Sequence, residues 1–202
     1  VKKTKDECRE KLNIPKNKFV VLFFGQIKKV KGIDILLQSI NHVVDLNQNI
    51  EFVIAGRPWK DNLKNYEDYI SKNNISSFIK LNASFIAEDQ LPYYFQSADL
   101  GILPYKKIYN SEVLLNFLSY KLPVLCSDLP VFSEIISDKE NGLIFKSEDS
   151  LDLAKKIIFA INNQELLNQI GDNGYKYLTK NWDLEEVGNL YNSFYDKIIF
   201  AK

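Results

Sequence analysis

The sequence predicts an α/β fold, a doubly wound parallel sheet of the Rossmann-like kind, and three observations carry that expectation. Short apolar runs rich in β-branched and aromatic residues recur along the chain, several stopping at glycine or proline. Between them lie segments whose apolar residues fall at helical spacing. The two patterns alternate, so βαβ units and parallel strands are the simplest reading.

The first run, FVVLFF at 19–24, is apolar without alternation and stops at Gly25, as a strand buried on both faces should. Ile33, Leu36, Leu37, Ile40, Val43 and Val44 then mark a helix with one buried face. EFVIA at 51–55 repeats the strand signal and stops at Gly56. A polar helix over 60–73 precedes a strand at 78–81, and a short helix over 89–96 leads to the strand LGIL at 100–103, closed by Pro104. A helix over 112–119 comes before PVLC at 123–126, and GLIF at 142–145 is the last strand. Leu151, Ala154, Ile157, Ile158 and Ile161 give one further amphipathic helix; Val187, Leu190, Tyr191, Phe194, Tyr195 and Ile198 give another. The expected organisation is a linker or extension at 1–18, a ligand-binding domain at 19–180, and a terminal helix within 181–202.

Composition narrows the partners. The 202 residues suit one domain with a substantial core, and 26 basic residues balance 26 acidic ones. A neutral chain offers no electrostatic case for nucleic acid or an anionic membrane, so any phosphate must be held by local geometry. No signal peptide is visible, and no apolar stretch nears the ~18 residues of a membrane helix. The two cysteines, Cys8 and Cys126, make no metal-ligand pattern and suit a reducing cytoplasm. The single histidine, His42, sits off the apolar face of its helix, and one histidine supports neither a Ser-His-Asp triad nor a zinc site. The chain begins at Val1 and contains no methionine, which fits an excised fragment.

In a doubly wound sheet, ligands sit outside the carboxyl ends of the strands at a topological switch point. That directs attention to the loops at 25–31, 56–60, 82–88 and 104–111. In the first, Gly25 permits a sharp turn, and Lys28, Lys29 and Lys31 add charge at a helix N-terminus already suited to anions. The spacing is neither a Walker A loop nor a G-x-G-x-x-G fingerprint, and a solvated lysine-rich loop is the alternative. In the last, Ser111 is a good N-cap. The amides of Glu112, Val113 and Leu114 would then face the same cleft; simple capping is the competing reading. Glu134 follows a strand between apolar neighbours, where it either faces the cleft or lies exposed on a short helix.

Together these pieces resemble the C-terminal, donor-binding domain of the large retaining glycosyltransferase family labelled glycosyl transferases group 1, which has the GT-B fold. FGQIKKVKG at 24–32 is similar to the family's G-R-x4-K-G segment, FVIAG at 52–56 to the next strand and glycine, and SADLGILP at 97–104 to the strand that follows. From 113 to 145, through LPVL at 122–125, EII at 134–136 and NGLIF at 141–145, the likeness runs without a gap. NWD at 181–183 resembles the segment before the family's final helix.

The resemblance implies a UDP- or GDP-sugar donor, no metal, and a second, N-terminal GT-B domain of ~170–200 residues that holds the acceptor. The family's basic pair on the diphosphate falls on Gln26 and Lys31, so only Lys31 keeps the cation. Its E-x7-E places fall on Ile108 and Asn116, and neither is a carboxylate. NSEV at 110–113 is closer to a branch reading N-S-G-x, in which the serine and following amides contact phosphate, with Glu112 in the glycine's place. Glu134 matches the family glutamate after the strand. Pro130 and Val131 replace two usual glycines, and Lys121 another.

Transfer develops negative charge on the leaving diphosphate, and each preorganised contact is worth roughly 2–4 kcal/mol. The missing groups therefore point to a site adapted to another donor, or weakened. Two readings stand. One is the donor half of a hexosyltransferase of surface polysaccharide or glycoconjugate synthesis, inactive without its acceptor domain. It would be cytoplasmic, with peripheral attachment to the inner face of the membrane open to the full-length protein. The other is a degenerate, non-catalytic GT-B module for binding or assembly, and an epimerase of GT-B shape is a lesser alternative.

Overall fold

A computed structural model describes residues 3–181. Six parallel strands form one sheet: β1 (Phe19–Phe24), β2 (Ile50–Ala55), β3 (Ile79–Asn82), β4 (Leu100–Leu103), β5 (Val124–Ser127) and β6 (Leu143–Phe145). Their order across the sheet is β3-β2-β1-β4-β5-β6, with β1 joined to β2 on one side and β4 on the other. The chain reverses its direction of travel between β1 and β4, which makes their carboxyl ends the switch point. Every residue of β2, β4 and β5 is buried, which is why these strands read as unbroken apolar runs.

The helices are α1 (Lys5–Lys11), α2 (Ile33–Val44), α3 (Leu63–Lys72), α4 (Leu91–Ser97), α5 (Glu112–Ser119), α6 (Pro130–Ser133), α7 (Ser150–Asn162) and α8 (Gln164–Asn181). Helix α2 packs on α7, α5 on α8, and α1 on α4. Each sequence-derived strand and helix up to residue 162 has its counterpart within a few residues.

Two segments differ from the sequence expectation. Residues 4–14, expected within a linker or extension, hold a folded helix. Thr4 and Glu7 close a capping box, Cys8 is buried, and Arg9 donates to Ser97 O, Lys16 O and Asp99. Helix α8 was not expected at all. It packs its glycines against α5 and the turn after it; a Cβ at Gly171 would lie 2.3 Å from Lys121 O, and one at Gly174 would meet Leu118. The amphipathic pattern at 187–198, with Trp182, lies outside the described residues. His42 is exposed and Cys126 fully buried, as the sequence implies.

Candidate functional site

The loops after β1, β2 and β4 are tied to one another by backbone contacts. Gly25, at φ 119°, donates to Ala55 O, and a Cβ on Gly56 would lie 1.8 Å from Gly25 O. Only a residue without a side chain allows the ends of β1 and β2 to meet this closely. Ile27 N–H donates to Arg57 O, and Trp59 N–H back to Ile27 O. On the other side Lys106 N–H donates to Val30 O, while Gly32 sits where a Cβ would be 1.7 Å from Pro104 O. The loop after β1 is thus clamped from both sides.

Above this clamp opens a cleft of about 680 Å³, lined by Gly25, Gln26, Lys28, Val30 and Lys31 from the first loop and by residues 107–113 from the loop after β4. Lys31 and Ser111 face the same space. Lys31 is half-buried, its ammonium 3.7 Å from the centre of the Tyr105 ring. Burial, reinforced by the charge of Lys28, pulls its pKa down to about 8. Ser111 caps α5 by accepting from Leu114 N–H at 3.3 Å. The amides of Glu112 and Val113 make no intramolecular hydrogen bond among the described residues, so two donors at the positive end of the helix dipole stay available.

The sequence-derived residues therefore divide. Gly25, Gln26, Lys31, Ser111, Glu112 and Val113 line the cleft. Leu114 does not: its amide is consumed by the Ser111 cap and its side chain lies in the core. Asn116, a turn further along α5, and Glu134, exposed at the end of α6, are also absent from the lining. Glu134 offers its backbone carbonyl to the Tyr177 hydroxyl at 3.4 Å. Of the two E-x7-E places, Ile108 lines the cleft with an apolar side chain and Asn116 stays outside it. Lys29 points away, into a smaller recess shared with Asp34 and Tyr66. Lys107, which the sequence reading passed over, adds a cation to the lining; its place beside Lys106 after Pro104 was the available signal. Lys106 itself is held by Asp34 at 2.6 Å.

The molecule is thus a doubly wound α/β domain whose crevice at the strand-order reversal presents cations and free amides. Residues 4–177 match the model of the family described as glycosyl transferases group 1, and the chain belongs to that family. Among its relatives are an uncharacterized glycosyltransferase of Methanocaldococcus jannaschii, 27% identical over 80% of this chain, and the capsular polysaccharide biosynthesis glycosyltransferase CapM of Staphylococcus aureus, 24% identical over 87%. The matched regions are 44% and 46% of those two proteins, so the chain spans less than half the length of either. The fold is that of a solved C-terminal domain of a group 1 glycosyl transferase, LpcC of Francisella tularensis, with TM-score 0.79 and 21% identity over 89% of this chain and 93% of that one. It is also found in Anabaena HepE, solved in complex with UDP-glucose, with TM-score 0.85 and 18% identity over 96% of this chain and 52% of that one. The sheet is accordingly half of a GT-B fold. Among the described residues no helix is long and apolar enough to cross a membrane.

Proposed function

We propose that this chain is the donor half of a retaining hexosyltransferase of surface polysaccharide or glycoconjugate synthesis, binding a UDP- or GDP-sugar in the cleft between the loops after β1 and β4. The observation that carries this reading is the convergence of Lys31, Ser111 and the free amides of Glu112 and Val113 on one crevice. A diphosphate presents oxygens that need N–H donors and positive charge. A helix N-terminus and a desolvated ammonium supply both without a metal ion. CapM's part in capsular polysaccharide synthesis and the UDP-glucose bound to HepE favour the same chemistry.

Lysine in place of an arginine fork makes a point-charge contact, and Gln26 contributes none, so donor affinity rests heavily on Lys31. Activity of the whole protein requires the half that binds the acceptor, and this chain alone is expected to bind donor without transferring sugar. Calorimetry with UDP-glucose and GDP-mannose tests the reading. One of them should bind, and Lys31→Ala should weaken it about 10- to 100-fold, as expected for a lost charged hydrogen bond. A folded protein that gives no heat with any nucleotide sugar would overturn it. A second reading, a non-catalytic binding module, draws on the absence of a carboxylate at Ile108 and Asn116. Turnover by the complete polypeptide eliminates it.

A further inference from the structure

Tyr105 follows β4 and Pro104 and lies one layer beneath the cleft, fully buried at 0% exposure. Its position is fixed from several directions. Its backbone carbonyl accepts from the Ser127 hydroxyl at 2.7 Å, its ring lies 5.6 Å from that of Phe132, and the ring face carries the Lys31 ammonium. A lysine head on a flexible four-carbon stem has no preferred aim of its own. An aromatic face 3.7 Å away gives it one, because the ring quadrupole attracts a cation more strongly when water is excluded. The seat matters here because burial and Lys28 both favour loss of the Lys31 proton. The other charged groups lining the cleft are Lys28, Lys107 and the exposed Glu112.

The hydroxyl of Tyr105 poses a separate question. It is buried and makes no hydrogen bond among the described residues. Ser111 lies near enough to influence its ionisation, yet no hydrogen bond joins the two hydroxyls. Phenylalanine would keep the ring and avoid burying an unsatisfied donor. Burial pushes the phenol far above its ordinary pKa, so it stays protonated and able to donate. Ser111 Oγ, already accepting from Leu114 N–H, has a second lone pair and one proton to give.

We infer that Tyr105 is the positioning residue of the cleft, its ring seating the Lys31 ammonium and its hydroxyl donating to Ser111 Oγ when that serine turns its own proton to a phosphate oxygen. This rests on the donor-site reading given above. A phosphate arriving between Lys31 and Ser111 would meet two groups set by the same buried side chain, and the hydroxyl that is orphaned in the free protein gains its partner on binding.

The test compares Tyr105→Phe, Tyr105→Leu, Lys31→Ala and the Leu/Ala double variant, with UDP as probe in calorimetry and NMR shifts of the Lys31 ε-methylene protons. Seated over a ring, those protons should be shifted upfield in the parent and in Tyr105→Phe, and return to ordinary values in Tyr105→Leu. UDP affinity should fall about 30-fold in Tyr105→Leu, and the double variant should bind worse than Lys31→Ala only by the factor that Tyr105→Phe loses against the parent. Tyr105→Phe should lose about 3- to 10-fold in affinity with its melting temperature unchanged or raised, a split that a merely structural role would not give. Parental affinity in a folded Tyr105→Leu, or a full Tyr105→Leu loss that multiplies with Lys31→Ala beyond the Tyr105→Phe factor, overturns the ring's role; parental affinity in Tyr105→Phe overturns the hydroxyl's. Should Tyr105→Leu not fold, Tyr105→Met, longer, more adaptable and ringless, takes its place. If the parent binds no UDP, the donor-site reading needs the other nucleotides to survive, and the Lys31 shift alone decides whether the seat exists.

Discussion

Two recesses at opposite ends of the sheet both contain lysines, and they differ in what those lysines do. Near the amino ends of the strands, Lys5, Asp99, Phe19, Tyr120 and Lys121 surround a cavity of about 420 Å³. There Lys5 is paired with Asp99 at 2.6 Å and Lys121 with Asp172 at 2.8 Å, while Lys3, also in the lining, sits over the Tyr93 ring at 4.6 Å. Asp99 also accepts from the buried Arg9 guanidinium and from Val20 N–H. At the carboxyl ends, Lys28, Lys31 and Lys107 line the cleft with no carboxylate within ion-pair distance among the described residues. Lysine count therefore does not mark a phosphate site. Cations left without carboxylates, beside amides left without carbonyls, mark one.

Removing the key carboxylate of the first recess should weaken the fold and spare the second recess. Asp99→Ala strands Arg9, whose side chain is 5% exposed, without its charged partner. Loss of one member of a buried pair costs about 3–5 kcal/mol. Urea denaturation should register most of that loss, while UDP affinity measured below the transition stays within about 2-fold of the parent, as expected for well-separated sites. A large drop in affinity at unchanged stability would mean that the two ends of the sheet are not independent.

This pairing also explains what could be read in the sequence. Strands buried on both faces announce themselves as apolar runs, and the Gly25 and Ser111 loops fall at the switch point once the alternation is recognised. Helix α8 stayed hidden because it is polar and carries Gly171 and Gly174. Those residues weaken a helix in isolation and serve here as contact points for Lys121 O and Leu118. Helix α1 was legible in part: Thr4 and Glu7 have capping-box spacing, but no apolar stripe follows them. What anchors it is Arg9 reaching Ser97 and Asp99, and residues about 90 positions apart leave no local pattern. Leu114 and Tyr105 show the same limit within the site. Sequence spacing places an amide or a hydroxyl near the cleft, and only the three-dimensional partners reveal which is already spent.

The cleft can be sharpened further by pH. Lys31 titrates at about 8 in the folded chain against 10.5 when free in water, because burial disfavours its charge. Between those values the unfolded chain binds the extra proton, so this residue's contribution to stability rises as pH rises. Its contribution to diphosphate binding has the opposite sign and disappears as the ammonium is lost through pH 8. UDP affinity should thus fall between pH 7 and 9.5, and that part of the fall should be missing from Lys31→Ala. A parent and variant with parallel pH profiles would remove Lys31 from the binding site.

The smallest effect concerns the first recess and the backbone at Lys121. This residue holds φ 56°, the left-handed region that strains any residue with a Cβ. Its side chain pairs with Asp172, the two being 56% and 54% exposed, and lies over the Tyr175 ring, and exposed pairs of this kind contribute little. Lys121→Gly should relieve the backbone more than it loses in charge pairing, raising Tm by about 2 °C in low salt. The rise should grow with added salt, because screening removes the ion pair and leaves the backbone unaffected. A fall in Tm that salt does not alter would place the value of Lys121 in how its side chain packs beside Tyr175, 5.2 Å from the ring centre, and would make this lysine a structural part of the α5–α8 contact.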